Sequence, residues 1–355
     1  MSRDNLNSQS IRGRGTANNP ANRFARLEVQ PDPEYAEGGI SPKTCFYNDD
    51  ASDVIAVNNS PDVPFDASLN PYRGCEHGCV YCYARPFHEY LDLSPGLDFE
   101  TKIMVKKDAA QKLRKQLQHP SWKPRTVSVS GVTDPYQPVE RKLGVTRRCL
   151  EVLAEFRNPF TIVTKNHLVT RDIDILERMA KYNAVRVMIS ITSLKPDLTG
   201  VMEPRTSRPD RRLKAVRELS RIGIPTGVLF APVIPGLTDE ELPRMVSEAS
   251  QAGALFGSYV LLRLPGAVVP LFEQWLENHY PDRKKKIMNR LKSLRGGKLY
   301  DNRFGFRMSG TGVYADQIRQ TFQISCRRYG LNTKSSPLSV QRFRRVPSQG
   351  ELDLY

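Results

Sequence analysis

The stretch Cys75-Glu76-His77-Gly78-Cys79-Val80-Tyr81-Cys82-Tyr83 places three of the chain's six cysteines at spacings of four and three residues. The glycine, acid and histidine between them follow neither a helical face nor a strand alternation, so the thiols do not read as buried residues of one regular element. They can converge on one soft metal centre if the chain curls around it. Gly74 and Gly78 give the backbone that freedom, and Asn70-Pro71 ends the extended segment before it. Structural zinc wants four protein ligands, usually in two pairs, and no second pair follows, since Cys149, Cys326 and His88 are scattered. Three thiolates suit a cubane iron-sulfur cluster, whose remaining iron stays open to a substrate or cofactor. The electron-transfer ferredoxin pattern, with a further cysteine followed by proline, is absent. Zinc and three inert thiols are the competing readings.

Outward from this loop, strand and helix patterns alternate. Strands are predicted near Ser68, Ser128, Ile162, Met188, Val228 and Val260, and helices over 107–118, 141–156, 171–182 and 207–221, with another starting at Thr238. Ser207 reads as the cap of the basic fourth helix. The strands are continuously apolar, the signature of a parallel sheet covered by helices. Six units are too few for a closed eight-stranded barrel, and periodicity alone leaves an open doubly wound sheet as an alternative.

CxxxCxxC with an aromatic before the last cysteine resembles the radical S-adenosylmethionine superfamily. The wider stretch 70–86, NPYRGCEHGCVYCYARP, is similar to its spore-photoproduct-lyase-related branch, and the likeness extends over 65–265. The resemblance implies an α/β fold, an incomplete (β/α)6 TIM-like barrel with the cluster loop after the first strand and chemistry at the strand C-terminal ends. It implies a [4Fe-4S] cluster held by Cys75, Cys79 and Cys82, with S-adenosylmethionine chelated at the open iron and cleaved reductively to methionine and a 5'-deoxyadenosyl radical. Tyr81 would then lie near the adenine. In place of the superfamily's Gly-Gly-Glu-like segment, Gly131 with Thr133 or Asp134 would hold the cofactor's amino group. Lys165 would meet the methionyl carboxylate, and a hydroxyl of Ser190, or of Thr192 at the same parity, the ribose or methionyl portion. Arg205 would orient a carboxylate or simply pair with Glu203, and 231–236 would offer an apolar wall. The bland readings are a strand-capping turn at 130–134 and a solvent-facing Lys165.

Composition divides the chain into a polar, flexible N-terminal arm (1–60), a core (61–268) and a basic C-terminal extension or small domain (269–355). Arg12, Arg14, Arg23 and Arg26 punctuate the arm, and Cys45 reads as an isolated thiol. The net charge is +15, and residues 283–345 carry 17 Lys or Arg against 2 acids, the whole of that excess. A solvated basic face would satisfy solubility, whereas DNA or RNA is the partner such segregation suits. Tyr300, Phe304, Phe306 and Tyr314 lie among these cations and either stack on bases or pack on the core. There is no apolar run of about 18 residues to cross a membrane, and Met1 to Ser10 has no apolar core of a secretory signal. Cytoplasmic residence is expected, and it suits thiolates that must stay reduced. The expected function is a radical enzyme that abstracts hydrogen in nucleic-acid repair or modification, supplied by an electron donor such as flavodoxin or ferredoxin. Radical modification of RNA or a peptide is one alternative, and a non-catalytic iron-sulfur nucleic-acid-binding protein another. No residue is assigned as hydrogen donor, Cys149 reading as a buried thiol on an apolar helix.

Overall fold

Runs of Val, Ile, Phe and Thr bounded by Pro, Gly and Asn become strands here. The computed structural model describes residues 11–24, 43–334 and 336–346. Its strands are β1 (Cys45–Asn48), β2 (Ile55–Val57), β3 (Ala67–Leu69), β4 (Tyr72–Arg73), β5 (Lys102–Val105), β6 (Val127–Val129), β7 (Phe160–Thr164), β8 (Val185–Ser190), β9 (Thr226–Val233) and β10 (Phe256–Leu261). Strands β3, β6, β7, β8, β9 and β10 are mutually parallel and lie side by side in chain order, with β2 antiparallel on the outer edge of β3. All six predicted strand centres fall in this series. A doubly wound sheet would reverse its direction of travel at a switch point, and this one does not. A smaller sheet, ordered β1-β5-β4, stands beside the cysteine loop.

The helices are α1 (Asp98–Thr101), α2 (Ala109–Gln118), α3 (Glu140–Leu143), α4 (Val145–Glu155), α5 (Ile173–Ala180), α6 (Pro196–Met202), α7 (Pro209–Arg221), α8 (Leu242–Gln251), α9 (Val268–His279), α10 (Pro281–Ser293) and α11 (Val313–Tyr329). The single helix expected over 141–156 is two, because Gly144 adopts a left-handed conformation, φ 60°, that ends α3 and starts α4. Ser207 does not cap α7. Its hydroxyl accepts from the His167 amide at 2.9 Å and contacts Asn166, tying the turn after β7 to the approach of α7.

The stretch 43–60, read as loop, contains β1 and β2. Cys45 lies in β1, which is exposed along its length, so no alternation betrayed it. Residues 11–24, expected to be mobile, are docked on the body of the protein through bonds described below; Arg26 lies outside the described residues. The 17-residue helix α11 went unrecognised because its apolar face is sparse among arginines and glutamines. It nonetheless packs on the sheet: the Phe322 ring lies 6.0 Å from that of Phe230 on β9 and 4.9 Å from that of Tyr259 on β10. Asn332 then extends the sheet past β10 by bonding to Gly257 and Leu255. The next stretch runs under the N-terminal ends of the strands. There Arg345 donates to the carbonyls of Leu117, Gln118, His119, Pro120 and Trp122 and so covers the end of α2. Part of the basic excess is thus committed to structure, far from the strand C-termini.

Phe322→Ala should cost about 3–5 kcal/mol by leaving a cavity between α11, β9 and β10. Urea denaturation followed by circular dichroism checks this, and a loss below ~1 kcal/mol would show that α11 is only loosely attached.

Candidate functional site

The loop after β3 and β4 turns where two glycines permit it. Gly74 and Gly78 have φ of 79° and 67°, and a Cβ on Gly78 would stand 2.7 Å from the Glu100 carboxylate. The Cys75 amide donates to the Phe99 carbonyl (2.9 Å), the Val80 amide to Met202 (3.0 Å) and the Cys82 amide to Cys79 (3.2 Å). Cys75 and Cys79 are buried and Cys82 is half-buried. Cys82 packs against two apolar groups at once, one containing Cys79, Val80 and Tyr81, the other Cys75, Ala84 and Phe99.

Burial pushes all three thiols above their ordinary pKa. Asp134 and the other two sulfurs add to this at Cys75, and Glu203 adds to it at Cys79. Arg85, Lys165 and Arg263 act in the opposite sense on Cys82. Three soft donors in a mostly apolar setting, with cations behind them, fit an anionic iron-sulfur cluster, whose irons would replace the thiol protons. Among the described residues no three His, Cys, Asp or Glu side chains close on a single ion. A mononuclear centre needs such closeness, whereas a cluster gives each thiolate its own iron.

Residues the sequence reading did not assign brace this loop. Arg85, wholly buried, donates to the carbonyls of Cys79 (3.0 Å), Pro95 (3.1 Å) and Gly96 (2.8 Å) and to Glu100 Oε1 (2.6 Å). Glu100, equally buried, accepts from the amides of Gly15 (3.0 Å) and Thr16 (3.1 Å) and from the Thr16 hydroxyl (3.0 Å). The N-terminal segment is thereby strapped over the loop, so closely that a Cβ on Gly15 would fall 1.6 Å from the Gly78 oxygen. Further along, Asn19 bonds to Asp98 and Asn22 to the Glu89 carbonyl.

The residues after β6 hold the loop from beneath. Thr133 donates to the Gly74 carbonyl (2.6 Å). Asp134 accepts from the Thr164 hydroxyl (2.7 Å) and the Lys165 amide (2.8 Å) and lies 3.3 Å from His77 Nδ1. Burial alone would raise the Asp134 pKa, but His77 and these donors bring it below the ordinary carboxylate value. The Gly131 carbonyl accepts from the Tyr83 hydroxyl. Thr133 and Asp134 therefore spend polar atoms on positioning the loop.

Tyr81, Lys165, Ser190 and Thr192 meet in one buried network. Lys165 Nζ lies 2.7 Å from Ser190 Oγ, 3.0 Å from the Ala231 carbonyl, 3.4 Å from Thr192 Oγ1 and 3.7 Å from Glu203 Oε2. The Tyr81 hydroxyl donates to Glu203 and contacts Thr192 at 3.2 Å. Glu203 also pairs with Arg212, and neither side chain is exposed. Arg205 is not the partner of Glu203. It lies 3.1 Å from Glu76 Oε1, whose other oxygen accepts from the Val139 amide. Arg212 was hidden in a helix read as basic, although it shares a face with Ala215, Val216 and Leu219, the register that turns inward.

Burial pushes Glu203 up, but Arg212 and Lys165 outweigh it and hold its pKa below the ordinary carboxylate value. A depressed acid contributes stability above its unfolded pKa of about 4.3 and loses it as pH falls through the folded value. Glu203→Gln should therefore flatten the acid limb of stability below the ordinary carboxylate range, from about pH 4 downward. It should also cost about 3–5 kcal/mol at neutral pH, because Arg212 stays buried without its counter-charge. Urea midpoints measured against pH check both, and an unchanged acid limb would reject the assignment. Gly15→Ala should lift the strap from the loop, read as faster bleaching in air of reconstituted protein than of the parent.

A description of the radical SAM superfamily matches residues 69–249. An uncharacterised protein of Mycobacterium tuberculosis (strain ATCC 25618 / H37Rv) is 37% identical over 228 residues, covering 64% of this chain and 67% of that one. An uncharacterised protein of Methanocaldococcus jannaschii is 27% identical over 222 residues, covering 62% and 79%. Among solved structures, a mutant spore photoproduct lyase with dinucleoside spore photoproduct superposes with a TM-score of 0.58 at 17% identity, covering 80% of this chain and 78% of that one. Another, with bound AdoMet and the same dinucleoside, gives 0.55 at 18% identity, covering 77% and 78%. At such identity the likeness is one of fold.

Proposed function

The chain belongs to the radical SAM superfamily and is a radical S-adenosylmethionine enzyme, and we propose that it acts on nucleic acid, with Cys75, Cys79 and Cys82 holding the cluster at the mouth of an incomplete (β/α)6 barrel. The observation that carries the site assignment is the network of Tyr81, from within the cysteine loop, with Lys165, Ser190 and Thr192 at the C-terminal ends of the strands, close enough for the Lys165 charge to act on Cys79 and Cys82. The family implies a [4Fe-4S] cluster and S-adenosylmethionine, which when bound supply a 5'-deoxyadenosyl radical able to take hydrogen from an unreactive carbon.

The chain's own part is to bind, orient and exclude. Lys165 carries a positive charge shared among neutral oxygens and the more distant Glu203, so its ammonium retains attraction for the methionyl carboxylate. Ser190 and Thr192 stand beside it as hydroxyl partners for the ribose or methionyl groups. Tyr81, its hydroxyl committed to Glu203, would offer a ring held in place to the adenine, and the 231–236 segment, with its cis Ala231–Pro232 bond, would offer an apolar wall. The backbone of Gly131 is the candidate partner for the cofactor's amino group. Thr133 and Asp134 act on it through the loop they hold, and Arg205 serves by fixing Glu76 or by reaching a substrate carboxylate.

Two things support nucleic acid as the substrate class: the positive excess of the 283–345 region and the shared fold with spore photoproduct lyases solved with a dinucleoside spore photoproduct. No described helix is long and apolar enough to cross a membrane. Cytoplasmic residence and a low-potential donor such as flavodoxin or ferredoxin complete the proposal.

Anaerobically reconstituted protein, with its cluster reduced, should release 5'-deoxyadenosine and methionine. Failure to do so would remove the catalytic proposal. Lys165→Ala should weaken S-adenosylmethionine binding by about tenfold or more, the worth of a charge-assisted hydrogen bond, while cluster absorbance is retained. Unchanged affinity in equilibrium dialysis would reject that role.

A further inference from the structure

Beyond the end of β10, a second group of side chains borders the cysteine loop. The Arg263 guanidinium lies over the ring of Tyr83, 4.2 Å from its centroid, and Tyr83 directly follows Cys82. Arg263 forms no ion pair with any described residue. Behind it Arg295, at the end of α10, is 4% exposed. Its Nη2 donates to the Leu262 carbonyl at 2.7 Å, but its Nε and Nη1 are buried and have no described partner. Burial first, and then repulsion from Arg263, lowers the Arg295 pKa from its ordinary value.

The neighbouring cations are already compensated. Arg307 pairs with Asp62 and Arg303 with Asp301. Those two arginines lie over aromatic rings, Arg307 over Phe304 at 4.7 Å and Arg303 over Phe306 at 5.0 Å. Both rings are exposed, 52% and 44%.

A buried guanidinium with two N–H groups that no described protein atom meets, beside a second that has no described ion pair of its own, the two sharing the more distant Asp62 and Asp301 with other cations, is an arrangement that an anion would relieve. Two guanidiniums suit a phosphate, which accepts paired N–H bonds. Exposed aromatic faces within the same region suit nucleobases, which offer a π-face whatever their identity. We propose that Arg263 and Arg295 bind one backbone phosphate of a single nucleic-acid strand beside Tyr83, with Phe304 and Phe306 as platforms for bases of that strand. This deepens the nucleic-acid reading and rests on it. It also distinguishes the working surface from the exposed cations of α10, such as Arg283 and Lys285, which supply only diffuse attraction.

The test uses full-length, anaerobically reconstituted protein and fluorescence anisotropy of a labelled ten-residue oligothymidylate across a salt series. Arg263→Gln should weaken binding about tenfold and reduce the salt slope by ~0.7, the value of one phosphate contact on a single strand. Phe304→Ala with Phe306→Ala should weaken oligothymidylate about tenfold, but leave its salt slope and the binding of an abasic strand unchanged. Arg295→Lys, which keeps the charge but loses the fork, should weaken binding less than Arg263→Gln. S-adenosylmethionine affinity should be the same in all. Parental oligothymidylate affinity in both Arg263→Gln and the double phenylalanine variant, while an Arg283→Gln/Lys285→Gln variant loses affinity, would overturn this site and leave the nucleic-acid reading standing. Loss of S-adenosylmethionine binding in Arg263→Gln without loss of oligothymidylate would overturn it in favour of the cofactor's carboxylate. Absence of salt-dependent binding by the parent protein would overturn both.

Discussion

The ion pair between Glu203 and Arg212, neither side chain of which is exposed, is the constraint on which the site depends. Neither charge is tolerable alone at that depth, so wherever one goes the other must follow. Arg212 is fixed by α7, where it also donates to the Ser190 carbonyl at the end of β8, and Glu203 follows α6. Through Glu203 the pair reaches the Tyr81 hydroxyl in the cysteine loop and sits within reach of Lys165 after β7. One buried charge thus sets the relative positions of the loop, two strand ends and two helices. Its pull on Lys165 is partial, the ammonium lying nearer to Ser190 and the Ala231 carbonyl than to the carboxylate.

A second buried pair, Arg85 with Glu100, does similar work on the opposite side of the loop. Arg85 reaches the Cys79 carbonyl, while Glu100 collects the strap through Gly15 and Thr16. The cysteines are therefore held between two low-dielectric ion pairs, each tied to a different part of the chain. Their shared chemistry is rigidity rather than net stability, since burying paired charges gains little over apolar packing. For the cluster that the family implies, fixed geometry would be the useful property.

The six parallel strands were legible because each is a short apolar run with a turn on either side, and fully buried strands need no alternation. The cysteine loop was legible because its spacing serves no regular element. Lys165, Ser190 and Thr192 were legible as polar residues closing apolar strands. What escaped depended on distance in sequence. Glu203 and Arg212 find meaning only in Tyr81 and Lys165, and Glu100 only in Arg85 and Gly15. For Arg205 the bland alternative, a pair with its near neighbour Glu203, rested on proximity along the chain, whereas the fold gives it Glu76. β1, β2 and α11 escaped because their exposure or sparse apolar faces erase the periodic signal. The segment 11–24 read as part of a flexible arm because Arg, Gly and Asn carry no pattern, yet its carboxylate acceptor lies in another part of the chain.

The strap has a consequence for how the molecule comes into being. Its bonds to Glu89, Asp98 and Glu100 span 66 to 86 positions, so its hold is completed only by residues most of a hundred positions further along the chain. The cysteine loop in turn leans on Met202 and, through Tyr81, on Glu203, so roof and pocket alike are products of long-range closure and neither is built from its own local stretch of chain.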